Sequence, residues 1–251
     1  MLPQIEGVKA ILDGYGLKTS AIASPFFKAD LDDDADYVKH IDILKNCVEL
    51  AHELDCKIIR GFTFWKKGAL DERMDDILEN FQEPLNIIER EDVILAVENE
   101  PATFVTNGEE LGKFHRRLES KNVKCLWDPG NDVWDPYGET AYPDGYQHVK
   151  DNIVHVHVKD GVRAESGKYN FLALGEGEVK YYEQLKALKE DGYSGYLSLE
   201  THWRIDEDQG MEKGGSLDIN IDKFSELGEK SSRICMRNLL DLINSLEEEG
   251  S

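Results

Sequence analysis

Six strand-like runs alternate with helical patterns along this chain, and that alternation constrains the fold more than any single residue does. The runs are "LKTSAIAS" (17–24), "CKIIRGFTFW" (56–65), "DVILAVENE" (92–100), "VKCLWDPG" (123–130), "IVHVHVKD" (153–160) and "GYLSLETHW" (195–203). Helices are expected over 37–54, about 71–90, 108–120, 179–192 and 231–249, and the chain opens in another helical pattern from Ile5 to Tyr15. In the helix over 37–54, Ile41, Leu44, Val48 and Ala51 recur at helical spacing. Strands alternating with helices mean a parallel sheet covered by helices.

A doubly wound sheet would open with a Gly-rich turn for a nucleotide, and none is present. "GEGE" (175–178) comes late and opens no such unit. The reading is therefore an α/β fold of the TIM (β/α)8-barrel type. Six strands are readable where such a barrel has eight, so the first two β/α units are expected to be lacking. Uncovered strand edges invite association, which points to a homo-oligomer. No Pro-, Ser- or Gly-rich tract divides the chain, so residues 1–251 read as a single domain.

A polar residue closes four successive strands: Glu98, Asp128, His157 and Glu200. In "VILAVE" Glu98 shares its face with Ile94 and Ala96, and in "YLSLE" Glu200 shares its face with Tyr196 and Ser198. In "IVHVHVKDG" the residues His155, His157 and Lys159 face one way, while Val154, Val156 and Val158 face the other. One charged residue at a strand end commonly just meets solvent. Four in succession fit a barrel, whose C-terminal strand ends converge on one mouth. Two glutamates, an aspartate and a histidine are hard-to-borderline ligands, suited to one divalent ion such as Mn2+, Mg2+, Co2+ or Zn2+. His155 lies deeper in the strand and reads as a core or supporting residue. Lys159 is placed to polarise or anchor a substrate oxygen, and Asp160 to cap the following turn. His202 and Trp203 are candidates to line the pocket, and Arg60, Arg163 and Arg204 to contact an anion.

A net charge of -22 opposes binding to nucleic acid phosphates and to anionic membranes. No apolar run approaches a membrane span, and the N-terminal stretch lacks the pattern of a signal peptide. The four cysteines, Cys47, Cys56, Cys125 and Cys235, show no paired spacing and read as reduced core residues of a cytoplasmic protein. The acidic run over 29–40 reads as a loop feeding a helix N-terminus, where carboxylates favour the dipole.

"ILAVENEP", "CLWDPGN", "YPDGYQHVKDNIVHVHVKD", "GEGEVKYYEQLKALKEDGYSGYLSLETHW" and the terminal helix together resemble the sugar phosphate isomerase/epimerase family of the xylose isomerase-like TIM barrel superfamily. The resemblance runs over roughly residues 5 to 249. It implies that Glu98, Asp128, His157 and Glu200 hold one divalent metal, and that Glu98 and Glu200 flank the substrate as acid/base groups. The family often carries histidine where this chain has Asn131 and Glu100. Asn131 can hydrogen-bond a water or a substrate hydroxyl but cannot shuttle a proton. The expected function is metal-dependent isomerisation or epimerisation of a small-molecule sugar or sugar phosphate, by proton abstraction next to a carbonyl through an enediolate. The alternatives are a polyol dehydratase or lyase on the same scaffold and a degenerate, non-catalytic barrel. An endonuclease IV-like hydrolase would want more metal-binding histidines and a less acidic surface.

Overall fold

The computed structural model describes residues 5–163, 169–205 and 221–248. In chain order the helices and strands are α1 (Ile5–Tyr15), β1 (Ile22–Phe26), α2 (Asp34–Glu53), β2 (Ile58–Gly61), α3 (Leu70–Asn80), α4 (Gln82–Arg90), β3 (Ile94–Glu98), α5 (Gly108–Leu118) and β4 (Val123–Trp127). They continue with α6 (Pro129–Asp132), α7 (Tyr146–Val149), β5 (Ile153–Val158), β6 (Asp160–Arg163), β7 (Tyr169–Leu172), α8 (Tyr181–Glu190), β8 (Tyr196–Leu199) and α9 (Ile221–Glu248). Five of the six expected strands lie inside their sequence runs, while β1 shares only residues 22–24 with its run and continues to Phe26. The six form one sheet in the order β1-β2-β3-β4-β5-β8, with β1–β2, β2–β3 and β5–β8 paired in parallel. This is an α/β fold of the TIM-barrel type, with six strands in its main sheet among the described residues.

The chain groups into two compact units: residues 1–98, 102–105 and 113–125, and residues 99–101, 106–112 and 126–251. The first has a core of stacked aromatic rings. Phe27 lies 4.0 Å from both Phe26 and Phe64 and 5.1 Å from Phe81, and Phe81 meets Phe114 edge-on at 5.0 Å. Helix α2 covers β1 with the buried stripe His40, Ile41, Leu44, Val48 and Ala51. Its start follows from the acidic run: Asp33 caps it by accepting from the N–H groups of Ala35 and Asp36, and Asp34 and Asp36 fill the first turn. Gly61 is required by contact, since a Cβ there would stand 2.8 Å from Leu95 Cδ1 and 2.9 Å from Phe26 Cδ1.

The single helix expected over about 71–90 is two helices, α3 and α4, meeting at Phe81. Pro84 explains the break. It has no N–H to donate to the Asn80 carbonyl, which instead lies 3.4 Å from the Tyr37 hydroxyl. The last helix starts ten residues before the expected boundary. In the second unit an antiparallel hairpin, β6–β7, was not expected at all. Its strands are four residues long and carry no clear alternation, so no periodic signal marks them. Among the described residues no helix is long and apolar enough to cross a membrane.

A candidate metal centre

Asp128, His157 and Glu200 come together in the second unit, each at the end of its strand. Asp128 follows β4 and caps α6, its Oδ1 accepting from the Asn131 N–H at 3.1 Å. Asn99 holds it from the other side. The Asn99 side chain accepts from the Asp128 N–H and donates to the Asp128 carbonyl, both at 2.9 Å. The carboxyl is fully buried. Its second oxygen, Oδ2, is buried as well. It faces the Lys159 ammonium at 2.7 Å and His157 Nδ1 at 3.7 Å.

Parallel pairing of β5 with β8 places the other two groups. His157 lies in register with Ser198, and the Glu200 N–H donates to the Val158 carbonyl at 2.9 Å. Glu200 thereby leaves the sheet beside His157 and Lys159. Its Oε2 is 3.7 Å from His157 Nδ1 and accepts from Lys159 Nζ at 2.7 Å. Its Oε1 is 3.7 Å from His202 Nε2. Burial alone would raise the Glu200 carboxyl, but His202 and the Lys159 charge more than offset it and hold the group well below the usual carboxylate range. The same contest at Asp128 ends the same way: burial pushes it up, and Lys159 and His157 bring it below its ordinary value. Both groups are therefore carboxylates at neutral pH.

Asp128, His157 and Glu200 each offer one ligand atom, and these atoms lie within 4.8 Å of one another. Bonds of about 2.0–2.6 Å from a single ion would span that separation. The set is oxygen, oxygen and imidazole nitrogen, and the buried Asp128 Oδ2 pairs with the Lys159 ammonium. Those residues fit a divalent ion. Glu98, the remaining expected ligand, closes β3 in the first unit. It is 2% exposed, and Arg60 Nη1 lies 3.3 Å from its Oε2. Arg60 is itself held by a contact of its Nε with the Ser24 carbonyl at 3.3 Å.

The other expected site residues occupy varied positions. Asn131 is buried, and its Nδ2 donates to the Asn99 carbonyl at 2.7 Å. His202, half exposed, stacks on Phe171 at 4.6 Å, and Phe171 meets Trp134 edge-on at 4.5 Å. His202, Trp203, Lys159, Glu200 and Cys235 line one cleft. His155 is buried, with Nε2 2.8 Å from Ser198 Oγ, as befits a supporting residue. Asp160 does more than cap a turn. Its two oxygens accept from the N–H groups of Gly161, Gly175, Gly177 and Val179.

Sequence reasoning missed Asn99, Tyr181 and Phe171. Asn99 had a signal in its place directly after Glu98. The Tyr181 hydroxyl donates to the Lys159 carbonyl at 2.7 Å and lies 3.0 Å from its N–H, a contact across 22 residues that no local pattern announces.

The model of the xylose isomerase-like TIM barrel family matches residues 3–218. The L-ribulose-5-phosphate 3-epimerase of Escherichia coli is 24% identical over 189 residues, 74% of this chain and 64% of that protein. The chain spans between 56% and 64% of the length of the first curated relatives it matches. A D-tagatose 3-epimerase-like protein superposes with a TM-score of 0.76 at 17% identity, covering 100% of this chain and 86% of that one. The IolI protein with a bound zinc atom superposes with a TM-score of 0.73 at 16% identity, covering 96% and 82%. The chain belongs to the xylose isomerase-like TIM barrel family.

Proposed function

We propose that this member of the xylose isomerase-like TIM barrel family is a metal-dependent isomerase or epimerase of a ketose or ketose phosphate. The observation that carries the proposal is the meeting of Asp128, His157 and Glu200 at the ends of β4, β5 and β8. We take Glu98 as the fourth donor. It closes the neighbouring strand β3 and directly precedes Asn99, the residue that clasps Asp128. The relatives support the substrate class: one is named for epimerising a ketose phosphate and another is likened to a ketose epimerase. A solved relative that binds zinc supports a divalent ion in this set.

A bound divalent ion would supply electrostatic stabilisation for the negative charge that develops on the substrate oxygens. Proton transfer falls to the chain. Removing the proton next to the carbonyl needs a reachable carboxylate, and the Glu200 side chain keeps 32% exposure at the edge of the cleft. Glu98 is the second acid/base group, oriented by Arg60. Lys159 stands where it can donate to a substrate oxygen. His202 and Trp203 border the same cleft, and Asn131 can contact a hydroxyl.

The test is product analysis on a panel of ketoses and their phosphates with Mn2+, Mg2+, Co2+ or Zn2+ added. An epimer or aldose/ketose isomer formed only with metal supports the proposal. Loss of water from the substrate would move the protein to the dehydratases, and no turnover on any panel member would move it to the non-catalytic barrels.

A further inference from the structure

Lys159 is more than a strand-end lysine that a substrate might meet. Its ammonium lies 2.7 Å from Asp128 Oδ2 and 2.7 Å from Glu200 Oε2, and the residue is 6% exposed. Those two oxygens belong to two of the groups clustered for a metal ion. The chain is built to hold the lysine there. The Tyr181 hydroxyl bonds to both the N–H and the carbonyl of Lys159, which pins the backbone. Residue 130 must be glycine for the stem to pass, since a Cβ would stand 2.5 Å from Lys159 Cγ and from Lys159 O. The ring of Trp134, 5.8 Å from Nζ, offers the cation a second resting place.

We propose that Lys159 is an internal counter-cation of the candidate metal centre, one that competes with a divalent ion for Asp128 and Glu200 and so sets how tightly the centre binds metal. The proposal rests on reading Asp128, His157 and Glu200 as ion donors. Two cations cannot share those oxygens cheaply. An ion bonded to them would lie against the ammonium, and like charges that close repel strongly in a buried setting. Every ion bound must therefore push Nζ away from at least one carboxylate. The released ammonium is then close to both the ion's open positions and the cleft lined by Glu200, His202 and Trp203, where it could hold a substrate oxygen. Without an ion, the same lysine keeps a fully buried carboxylate from standing unpaired.

Direct titration with Mn2+ alone, followed by calorimetry and by the electron-spin signal of free Mn2+, tests this. Lys159→Met and Lys159→Gln should each bind Mn2+ more tightly than the wild-type protein, by about tenfold or more. Both should melt at lower temperature without metal and gain more on adding it. A variant that folds only with Mn2+ present supports the proposal in the same sense. Affinity in both variants equal to or below that of a wild type that binds Mn2+ would overturn the competition and leave the metal centre standing. No Mn2+ binding by the wild type or by either variant would overturn the metal centre with it. The wild-type chain gives an independent readout. A short pulse of acetic anhydride should acetylate Lys159 more when Mn2+ is bound, measured against the other lysines by peptide mass. Unchanged labelling in a protein that has taken up Mn2+ would overturn the proposal.

Discussion

Asp160→Asn changes one atom of a buried residue, and the structure fixes what that should cost. Asp160 Oδ1 accepts from Gly161 N at 2.9 Å and Val179 N at 3.3 Å, and Oδ2 accepts from Gly175 N at 2.9 Å and Gly177 N at 3.1 Å. An amide has one acceptor oxygen, so two N–H groups must face an NH2. Gly161 and Val179 are buried while Gly175 is exposed and Gly177 half-buried. The cheaper orientation turns the NH2 to the two glycines that water can reach. At about 1 kcal/mol for each such lost acceptor, the variant should lose about 2 kcal/mol. For a chain of this size that is a fall of about 4–8 °C in Tm. Asp160→Ala orphans all four donors, two of them buried, and should lose about 6 kcal/mol. Urea unfolding followed by circular dichroism measures both. Equal losses in the two variants, or losses under about 0.5 kcal/mol in both, would refute the reasoning, because neither result fits four bonds to one carboxylate.

Asp132 is 1% exposed, and burial followed by the neighbouring Glu139 carboxyl pushes its pKa well above the usual value. A raised carboxyl stabilises the fold while protonated, so wild-type stability should fall as pH rises through the folded pKa of Asp132. Asp132→Asn should flatten that decline, read as Tm from about pH 4 upward, and an unchanged slope would contradict it. Phe171→Ala removes the ring that stacks on His202 at 4.6 Å, and should lower turnover several-fold with Tm nearly unchanged; full turnover would show that His202 needs no support. Gly130→Ala should cost more than about 2 kcal/mol in urea unfolding, because its Cβ would meet the Lys159 backbone as well as its stem; a neutral result would mean the loop moves freely.

The parts of this molecule that were readable in advance are those that repeat. Alternation of valine with histidine and lysine in β5, and polar residues closing β3, β4 and β8, follow from the period of a strand, so the strands and their polar ends could be read from local pattern. The partners of those residues could not. Asp160 reaches forward 15 to 19 residues, and the "GEGE" stretch set aside as a nucleotide turn is the loop that wraps it. Lys159 could be placed at the end of its strand from local pattern, yet its pairing with two carboxylates depends on where β8 ends relative to β5, a register no single segment encodes. Pro84 could have divided the helix over 71–90, since it stands inside the pattern, but proline in a first helical turn carries no penalty and the periodicity runs on past it. The β6–β7 hairpin is held by pairing between strands too short to show a period.

The central claim is that this chain removes a proton next to a carbonyl, with Glu200 as an acid/base group. Its most direct measurement is exchange of the substrate α proton with solvent deuterium, followed by NMR across ketoses and ketose phosphates with Mn2+, Mg2+ or Co2+ present. The account predicts metal-dependent exchange in the wild-type protein with at least one of these substrates. It also predicts a loss of about 10²–10⁴-fold in Glu200→Gln under saturating metal, the range that acid/base groups contribute. A Glu200→Gln chain that exchanges at the wild-type rate once metal is saturating, or a wild type that exchanges no α proton of any substrate, would contradict it.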